Sequence, residues 1–246
     1  MAPSQAQRSP IPSPSGSLDE GRWGRLAADP HERRHEWFRY YSEKRIVHQW
    51  LQVHLLAGLE VERVLEIGPG LGLVSAMLAN AGFTVTTLDI APTPHQRAEI
   101  NHIQADLRTL DAADLSDFDA IVCCETLEHL AWEEVDRALG VFRDSGARYV
   151  VMSVPYQGVQ IDWRLYLNRF VWRHSFAFKK LKFLKTFHFD AAGDPWCHKW
   201  EVGYRGTSVM ALEAKLVGAG FAIRERAFSS PCRSVFYLLA NLELVP

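Results

Sequence analysis

The sequence encodes an α/β fold organised around a parallel sheet. Residues 61–73, VERVLEIGPGLGL, place Val64, Leu65 and Ile67 in a short β-forming run that stops at Gly68. Glycine then recurs at alternate positions, Gly68, Gly70 and Gly72, and a helical apolar spacing starts at once with Leu73, Val74, Met77 and Leu78. A second apolar run, FTVTTLDI, carries Asp89 near its end. Strand, glycine turn, helix and a second strand closing on an acid make a βαβ unit of the nucleotide-binding kind. The glycines let backbone approach a ligand where a Cβ would collide. Asp89 can accept hydrogen bonds from both hydroxyls of a ribose.

The other elements follow in order. Residues 31–57 read as one amphipathic helix, with Trp37, Tyr41, Val47, Trp50, Leu51 and Leu55 near one stripe and Gly58 past its end. IQAD forms a third short strand closing on Asp106, and FDAIVCC a fourth. Helix 131–144 (Trp132, Val135, Leu139, Phe142) is stopped by Gly146, and RYVVMSVPY supplies a fifth strand. Residues 156–197 interrupt the core. A helix at 207–218 and strands near 221–227 and 234–242 complete the chain.

The glycine spacing narrows the ligand. A dinucleotide fingerprint needs its third glycine at the sixth position, where this chain has Leu73; here the loop reads G-P-G-L-G, with Glu66 two residues before it. An acid on the strand suits a ligand carrying an ammonium and a sulfonium, and S-adenosylmethionine carries both. The run E-I-G-P-G-L-G resembles the glycine motif of class I S-adenosylmethionine-dependent methyltransferases, and the later motifs agree in order. The resemblance is close over about residues 60–155 and looser over 198–245. It implies a Rossmann-like fold with a central seven-stranded, mostly parallel sheet, helices on both faces, and the last strand inserted antiparallel. It further implies that Glu66, Gly68, Gly70, Gly72, Asp89, Asp106 (against the adenine) and Cys124 at the end of the fourth strand bind the cofactor.

Composition excludes several classes. The formal net charge of −2 argues against a protein that coats nucleic acid over its whole surface. No run approaches the ~18 apolar residues of a membrane-spanning helix. Cys123 and Cys124 adjoin in one strand and so face opposite ways, while Cys197 and Cys232 stand apart; this is no disulfide framework and fits a reducing cytoplasm. The first 20 residues hold four prolines and five serines without an apolar stretch, so residues 1–22 are expected to be a disordered tail and residues 23–246 one domain.

Two histidine motifs compete as metal sites. His31-Glu-Arg-Arg-His35 matches HExxH, but it opens a highly charged helix ahead of the core with no suitable third ligand, and it is read as a solvated helix start. Glu125-Thr-Leu-Glu128-His129 follows the fourth strand, at the sheet edge where ligands bind. If a helical turn starts at Glu125, the three side chains converge at i, i+3 and i+4. His198, in His-Lys-Trp-Glu, offers a fourth ligand. ExxEH with a later His-x-aromatic-Glu resembles the ubiquinone-biosynthesis O-methyltransferases and the small-RNA 2′-O-methyltransferases. That resemblance implies a divalent cation, Mg²⁺ or Mn²⁺, at Glu125, Glu128, His129 and His198. The competing reading is a metal-free, hydrogen-bonded acceptor pocket with His129 as catalytic base.

Residues 163–189 interleave nine aromatics with Arg164, Arg169, Arg173, Lys179, Lys180, Lys182 and Lys185. Such a segment suits a lid over the acceptor pocket, peripheral contact with a membrane, or, less well, an RNA end. The expected activity is O-methylation of a diol-bearing small molecule or lipid. RNA 2′-O-methylation, N- or C-methylation, and a non-catalytic subunit that docks a partner through the basic segment are the rivals.

Overall fold

Apolar runs with both faces in need of cover pair side by side as a buried parallel sheet. The computed structural model describes residues 29–92, 99–158, 160–170, 172–179, 188–229 and 234–245. The expected tail at 1–22, together with Lys180, Lys182, Lys185 and Cys232, lies outside these residues. Two helices come first, α1 (Pro30–Tyr40) and α2 (Glu43–His54). The core then alternates: β1 (Arg63–Ile67), α3 (Leu73–Asn80), β2 (Thr84–Asp89), β3 (Asn101–Gln104), β4 (Ala120–Cys124), α4 (Val135–Asp144) and β5 (Tyr149–Pro155). A hairpin, β6 (Gln160–Leu167) and β7 (Trp172–Lys179), precedes α5 (Val209–Gly218), β8 (Phe221–Phe228) and β9 (Ser234–Asn241).

The sheet has seven strands in the order β3-β2-β1-β4-β5-β9-β8. Strands β1 to β5 pair in parallel, and β9 runs antiparallel to both β5 and β8. This is the expected Rossmann-like architecture, including the inserted last strand. The chain leaves β1 in one direction to make β2 and β3, then returns on its other side with β4. The crevice at that reversal, beyond the carboxyl ends of the strands, is where such sheets bind ligands.

The two faces of β4 carry two cores. Ile121 and Cys123 pack with Phe142, Leu139 and Trp200 on one side, while Ala120, Val122 and Cys124 pack with Val53, Val74 and Leu78 on the other. The adjacent cysteines therefore do face opposite ways. Asp119 joins the strand starts, its carboxylate accepting the backbone N–H of Glu62 (3.0 Å) and Arg63 (2.8 Å).

The single helix expected over 31–57 is corrected to two. Tyr41 and Ser42 are extended (φ −82°, ψ 119° and φ −122°, ψ 168°), although neither glycine nor proline marks the break. The tertiary fold supplies the reason: the turn lets the Tyr41 hydroxyl reach the glycine loop, where it accepts the Leu73 N–H at 3.3 Å. The change of direction also moves the buried stripe. Helix α2 buries His48, Gln52 and Val53 and leaves Val47 and Trp50 of the expected stripe about half exposed, while Leu51 and Leu55 of that stripe are covered.

Candidate active site

The donor half grows from β1 and β2. Gly68, Gly70 and Gly72 all have left-handed backbones (φ 73°, 55° and 79°), and Gly72 starts α3 from that conformation. At Gly68 a Cβ would run into the Thr126 side chain, whereas the space beside Gly70 is open. Glu66 is buried at the end of β1 and accepts a hydrogen bond from the Ser75 hydroxyl. Burial pushes its pKa from an ordinary 4.5 up to about 7, with the nearby Asp89 charge adding to the shift. Asp89 sits half-buried at the end of β2, accepts the Ala91 N–H at 3.0 Å, and is itself shifted upward by burial. These groups stand together at the carboxyl ends of β1 and β2.

Two other expected cofactor residues are placed differently. Asp106 lies two residues past β3 with its carboxylate held by Arg108, Oδ2 to Nη2 at 2.6 Å, which lowers its pKa. The Cys124 thiol is buried, with Sγ 3.9 Å from the Val151 carbonyl, and packs in the core.

The acceptor half is the turn after β4. Leu127–His129 forms a short 3-10 turn with Thr126 as its N-cap. Backbone and side-chain bonds draw a second loop against it: Lys199 N–H donates to the Glu128 carbonyl at 2.7 Å, and Trp200 Nε1 to the Leu130 carbonyl at 3.2 Å. The His129 and His198 rings consequently meet edge to face at 5.2 Å. Ligating atoms of Glu128, His129 and His198 all lie within 4.8 Å of one another. Glu128 is fully buried with neither carboxylate oxygen hydrogen-bonded, and His129 Nδ1 is buried without a partner. Burial, then the Glu125 charge, raises the Glu128 pKa well above the usual carboxylate range. Burial, and then the electrostatic influence of the neighbouring His198 ring, push His129 down to about 4.

Glu125 is corrected out of this group. It has φ 52° at the strand end, before the turn begins, so the i, i+3, i+4 spacing does not apply to it. Its Oε1 instead accepts the Ser153 hydroxyl at 2.8 Å and lies 4.0 Å from Nε2 of the buried His48. In its place, Asp194 and Glu201 gather round His198, with ligating atoms within 4.8 Å. Sequence reading placed Glu201 in the His-x-aromatic-Glu motif without giving it a role of its own, and it gave no sign of Asp194. It also missed Tyr41 and His48; His48 and Gln52 interrupting an apolar stripe were the available signal. His31 and His35 are exposed on α1, and neither belongs to a metal-capable group among the described residues.

Comparison with known proteins agrees with this geometry. A family model described as a methyltransferase domain matches residues 65–144. Solved structures superpose over most of the chain. The Burkholderia thailandensis 1,6-didemethyltoxoflavin-N1-methyltransferase, bound to S-adenosylhomocysteine, has a TM-score of 0.57 at 14% identity and covers 96% of both chains. The Bradyrhizobium japonicum N-methyltransferase NodS, also with S-adenosylhomocysteine, has a TM-score of 0.59 at 15% identity, over 90% of this chain and 97% of that one. Residues 65–144 carry a methyltransferase domain, and the fold around them is the one these S-adenosylhomocysteine-bound enzymes share. Curated relatives of this methyltransferase domain include the ubiquinone biosynthesis O-methyltransferase of Paracidovorax citrulli, 30% identical over 111 residues, 39% of this chain and 47% of the relative. That of Pseudomonas aeruginosa strain LESB58 is 30% identical over 112 residues, with the same coverage. The match thus spans about half the length of these relatives.

The donor half of the methyltransferase domain fits a sulfonium nucleoside, since a Cβ-free cradle lies beside two carboxyls, one of them buried. Without ligand, the raised Glu66 pKa costs stability. The folded protein holds the Glu66 proton that the unfolded chain releases, so this penalty grows from pH 4.5 to about 7 and is complete above. Glu66→Gln should therefore stabilise the ligand-free protein at pH 8 by about 3 kcal/mol, the size of such a shift, and by little at pH 4.5. Urea unfolding at the two pH values checks this; an equal effect at both would show that Glu66 is not titrating.

Proposed function

We propose that the protein is an O-methyltransferase that takes its methyl group from S-adenosylmethionine and acts on a small molecule or lipid bearing two neighbouring hydroxyls. A divalent cation, Mg²⁺ or Mn²⁺, is held at Glu128, His129 and His198. The observation that carries this reading is Glu128, a fully buried carboxyl with both oxygens unpartnered beside an unpartnered His129 Nδ1. A buried carboxylate in that state is costly unless a cation or proton meets it. Two imidazoles and a carboxylate suit a borderline divalent ion, so the set favours Mn²⁺ over the harder Mg²⁺. A cation bound there supplies Lewis acidity, lowering the pKa of a chelated hydroxyl.

The chain's own residues do the rest. Glu66, Asp89 and the glycine loop bind the donor and fix the direction of its methyl group, with Asp106 assigned to the adenine end and the end of β4 at Cys124 to the cofactor cleft. Trp132 and Trp200, stacked edge to face at 4.7 Å behind the turn, help keep it dry. His129 is neutral at pH 7 because its pKa lies near 4, so it is a weak proton acceptor and a ready cation ligand. This favours the cation over His129 acting alone as base. Glu125 supports the turn from the Ser153 side.

The activity test offers a catechol-type diol and radiolabelled donor. Methyl transfer to oxygen should require Mg²⁺ or Mn²⁺, stop with chelator and return when the ion is restored. Chelator-resistant turnover would remove the cation and return the site to a hydrogen-bonded pocket; transfer only to amine or carbon acceptors would remove O-methylation. Donor binding without turnover on any acceptor would favour a partner-binding subunit. Donor binding is tested separately: Asp89→Ala should weaken S-adenosylhomocysteine by about 1.5–3 kcal/mol in calorimetry, the loss expected for charge-assisted hydrogen bonds. An unchanged affinity would displace Asp89 from that role.

The hairpin β6–β7 supports contact with a membrane at its cytoplasmic face. No helix among the described residues is long and apolar enough to cross one. The register pairs Trp163 with Phe176, Leu165 with His174 and Leu167 with Trp172, so these side chains share one face; Arg164, Tyr166, Arg173 and Ser175 share the other. The apolar face is open to solvent, with Trp163 at 71%, Trp172 at 75% and Phe176 at 68% exposure, and Phe170 at the tip at 85%. An apolar face beneath a basic one is what an anionic bilayer surface accepts. The protein should co-sediment with phosphatidylserine-containing vesicles and release as salt rises. The triple change Trp163→Ser, Trp172→Ser, Phe176→Ser should abolish this while S-adenosylhomocysteine affinity stays unchanged. Binding to an oligonucleotide but not to vesicles would assign the segment to RNA.

A further inference from the structure

We infer that Glu201 is a positioning residue that fixes which nitrogen of His198 faces the acceptor site; the inference rests on the proposed role of Glu128, His129 and His198. His198 stands between two sets of carboxyls. Its Nδ1 is 3.2 Å from Glu201 Oε1, while its Nε2 is 3.9 Å from Glu128 Oε1. An ionised carboxylate can only accept, so the bond to Glu201 places the single proton of a neutral imidazole on Nδ1. The lone pair of Nε2 is then left facing Glu128 and His129. A bond from the outer nitrogen to a carboxylate is how proteins commonly orient a ligating histidine.

Glu201 is built for that task. It is buried, and its second oxygen accepts Gln157 Nε2 at 2.7 Å. The Glu201 carbonyl accepts the Thr207 hydroxyl at 2.8 Å, and neighbouring Val202 is bonded on both sides of its peptide, to Pro155 at 2.9 Å and Gln157 at 2.7 Å. The carboxylate is thereby anchored to the end of β5. Asp194 is the other candidate partner, but its Oδ2 lies farther from Nδ1, at 3.7 Å, and already accepts the backbone N–H of Trp196 and His198. Asp194 shapes the loop, and Glu201 orients the ring.

The test uses the full chain labelled with ¹⁵N-histidine, in which long-range proton–nitrogen spectra report each tautomer and His198→Gln identifies the His198 signal. The unmodified protein should show His198 as the Nδ1–H tautomer. In Glu201→Gln, whose amide can also donate, that signal should move towards a mixture of tautomers. Mn²⁺ affinity should fall 10- to 100-fold, while S-adenosylhomocysteine affinity stays unchanged. Gln157→Ala, which frees the carboxylate without touching His198, should shift both readouts in the same direction by less, and it carries the test if Glu201→Gln does not fold. An unchanged tautomer and unchanged Mn²⁺ affinity in folded Glu201→Gln would overturn the inference. If the unmodified protein binds no Mn²⁺ but the tautomer still depends on Glu201, the cation reading fails and the positioning role stands.

Discussion

The contact between Gly68 and Thr126 joins the two halves of the site. The Thr126 hydroxyl donates to the carbonyls of Ile67 (3.3 Å) and Cys124 (3.1 Å), so one side chain ties the ends of β1 and β4 together. It occupies the space that a Cβ at residue 68 would need. Gly68 is therefore required twice, for its left-handed backbone and for this close approach. Thr126 is also the residue from which the Leu127–His129 turn starts, so the glycine loop proposed to cradle the donor and the turn proposed to carry the acceptor chemistry share one fixed point. An in-line transfer needs donor and acceptor held to within fractions of an ångström. A rigid link between the two strand ends supplies that constraint without relying on either loop's own stiffness.

The electrostatics of the crevice follow from burying acids on both sides of that link. Glu66 and Asp89 stand on the donor side, and Glu125, Glu128, Asp194 and Glu201 on the acceptor side. Burial is the largest cause of the upward shifts of Glu66, Asp89 and Glu128, and in Glu66 and Glu128 the other carboxyls add to it. A set of acids that resist ionisation is a set that gains when positive charge arrives. On the donor side the sulfonium and ammonium of S-adenosylmethionine meet this need. On the acceptor side, among the described residues, the basic side chain within salt-bridge distance of Glu128 is His198, 3.9 Å away. The neutral His129 adds a lone pair rather than a charge. Several kcal/mol of desolvation penalty at Glu128 are offset only when a proton or a cation takes its place there.

Sequence revealed those parts of this architecture in which a local pattern dictates a local structure. The glycine loop, the parallel strands and the antiparallel last strand could be read because buried strands are continuously apolar and glycines mark positions that need a positive φ. Glu125 was misplaced because the spacing rule presupposes a helix already running at that residue. The turn starts one residue later, and the strand end leaves Glu125 directed at Ser153. His198 was legible as a partner of His129 only through motif order; the Lys199 and Trp200 bonds that bring it there are tertiary. The break at Tyr41–Ser42 had no local signature, since the gain that pays for it lies in α2 packing and in the Tyr41 hydroxyl against Leu73. Asp194 and the role of Glu201 were hidden for the same reason, as their chemistry depends on a histidine whose position the sequence does not state.

The hairpin shows the opposite relation between pattern and structure. As a string, residues 163–176 look like cations mixed evenly among aromatics, and mixed segments read as neither core nor surface. Pairing changes that, because alternate residues of a strand point to opposite faces. Once Trp163 faces Phe176 and Arg164 faces Ser175, the mixture separates into an apolar side and a basic side. A two-stranded sheet has no second layer of its own and is marginal in water, so an uncovered aromatic face leaves it short of stabilising burial. The same face laid against lipid buries the rings and keeps Arg164 and Arg173 on the side of the headgroups and water. The cost of exposing Trp163, Trp172 and Phe176 is then a feature of the unbound state alone.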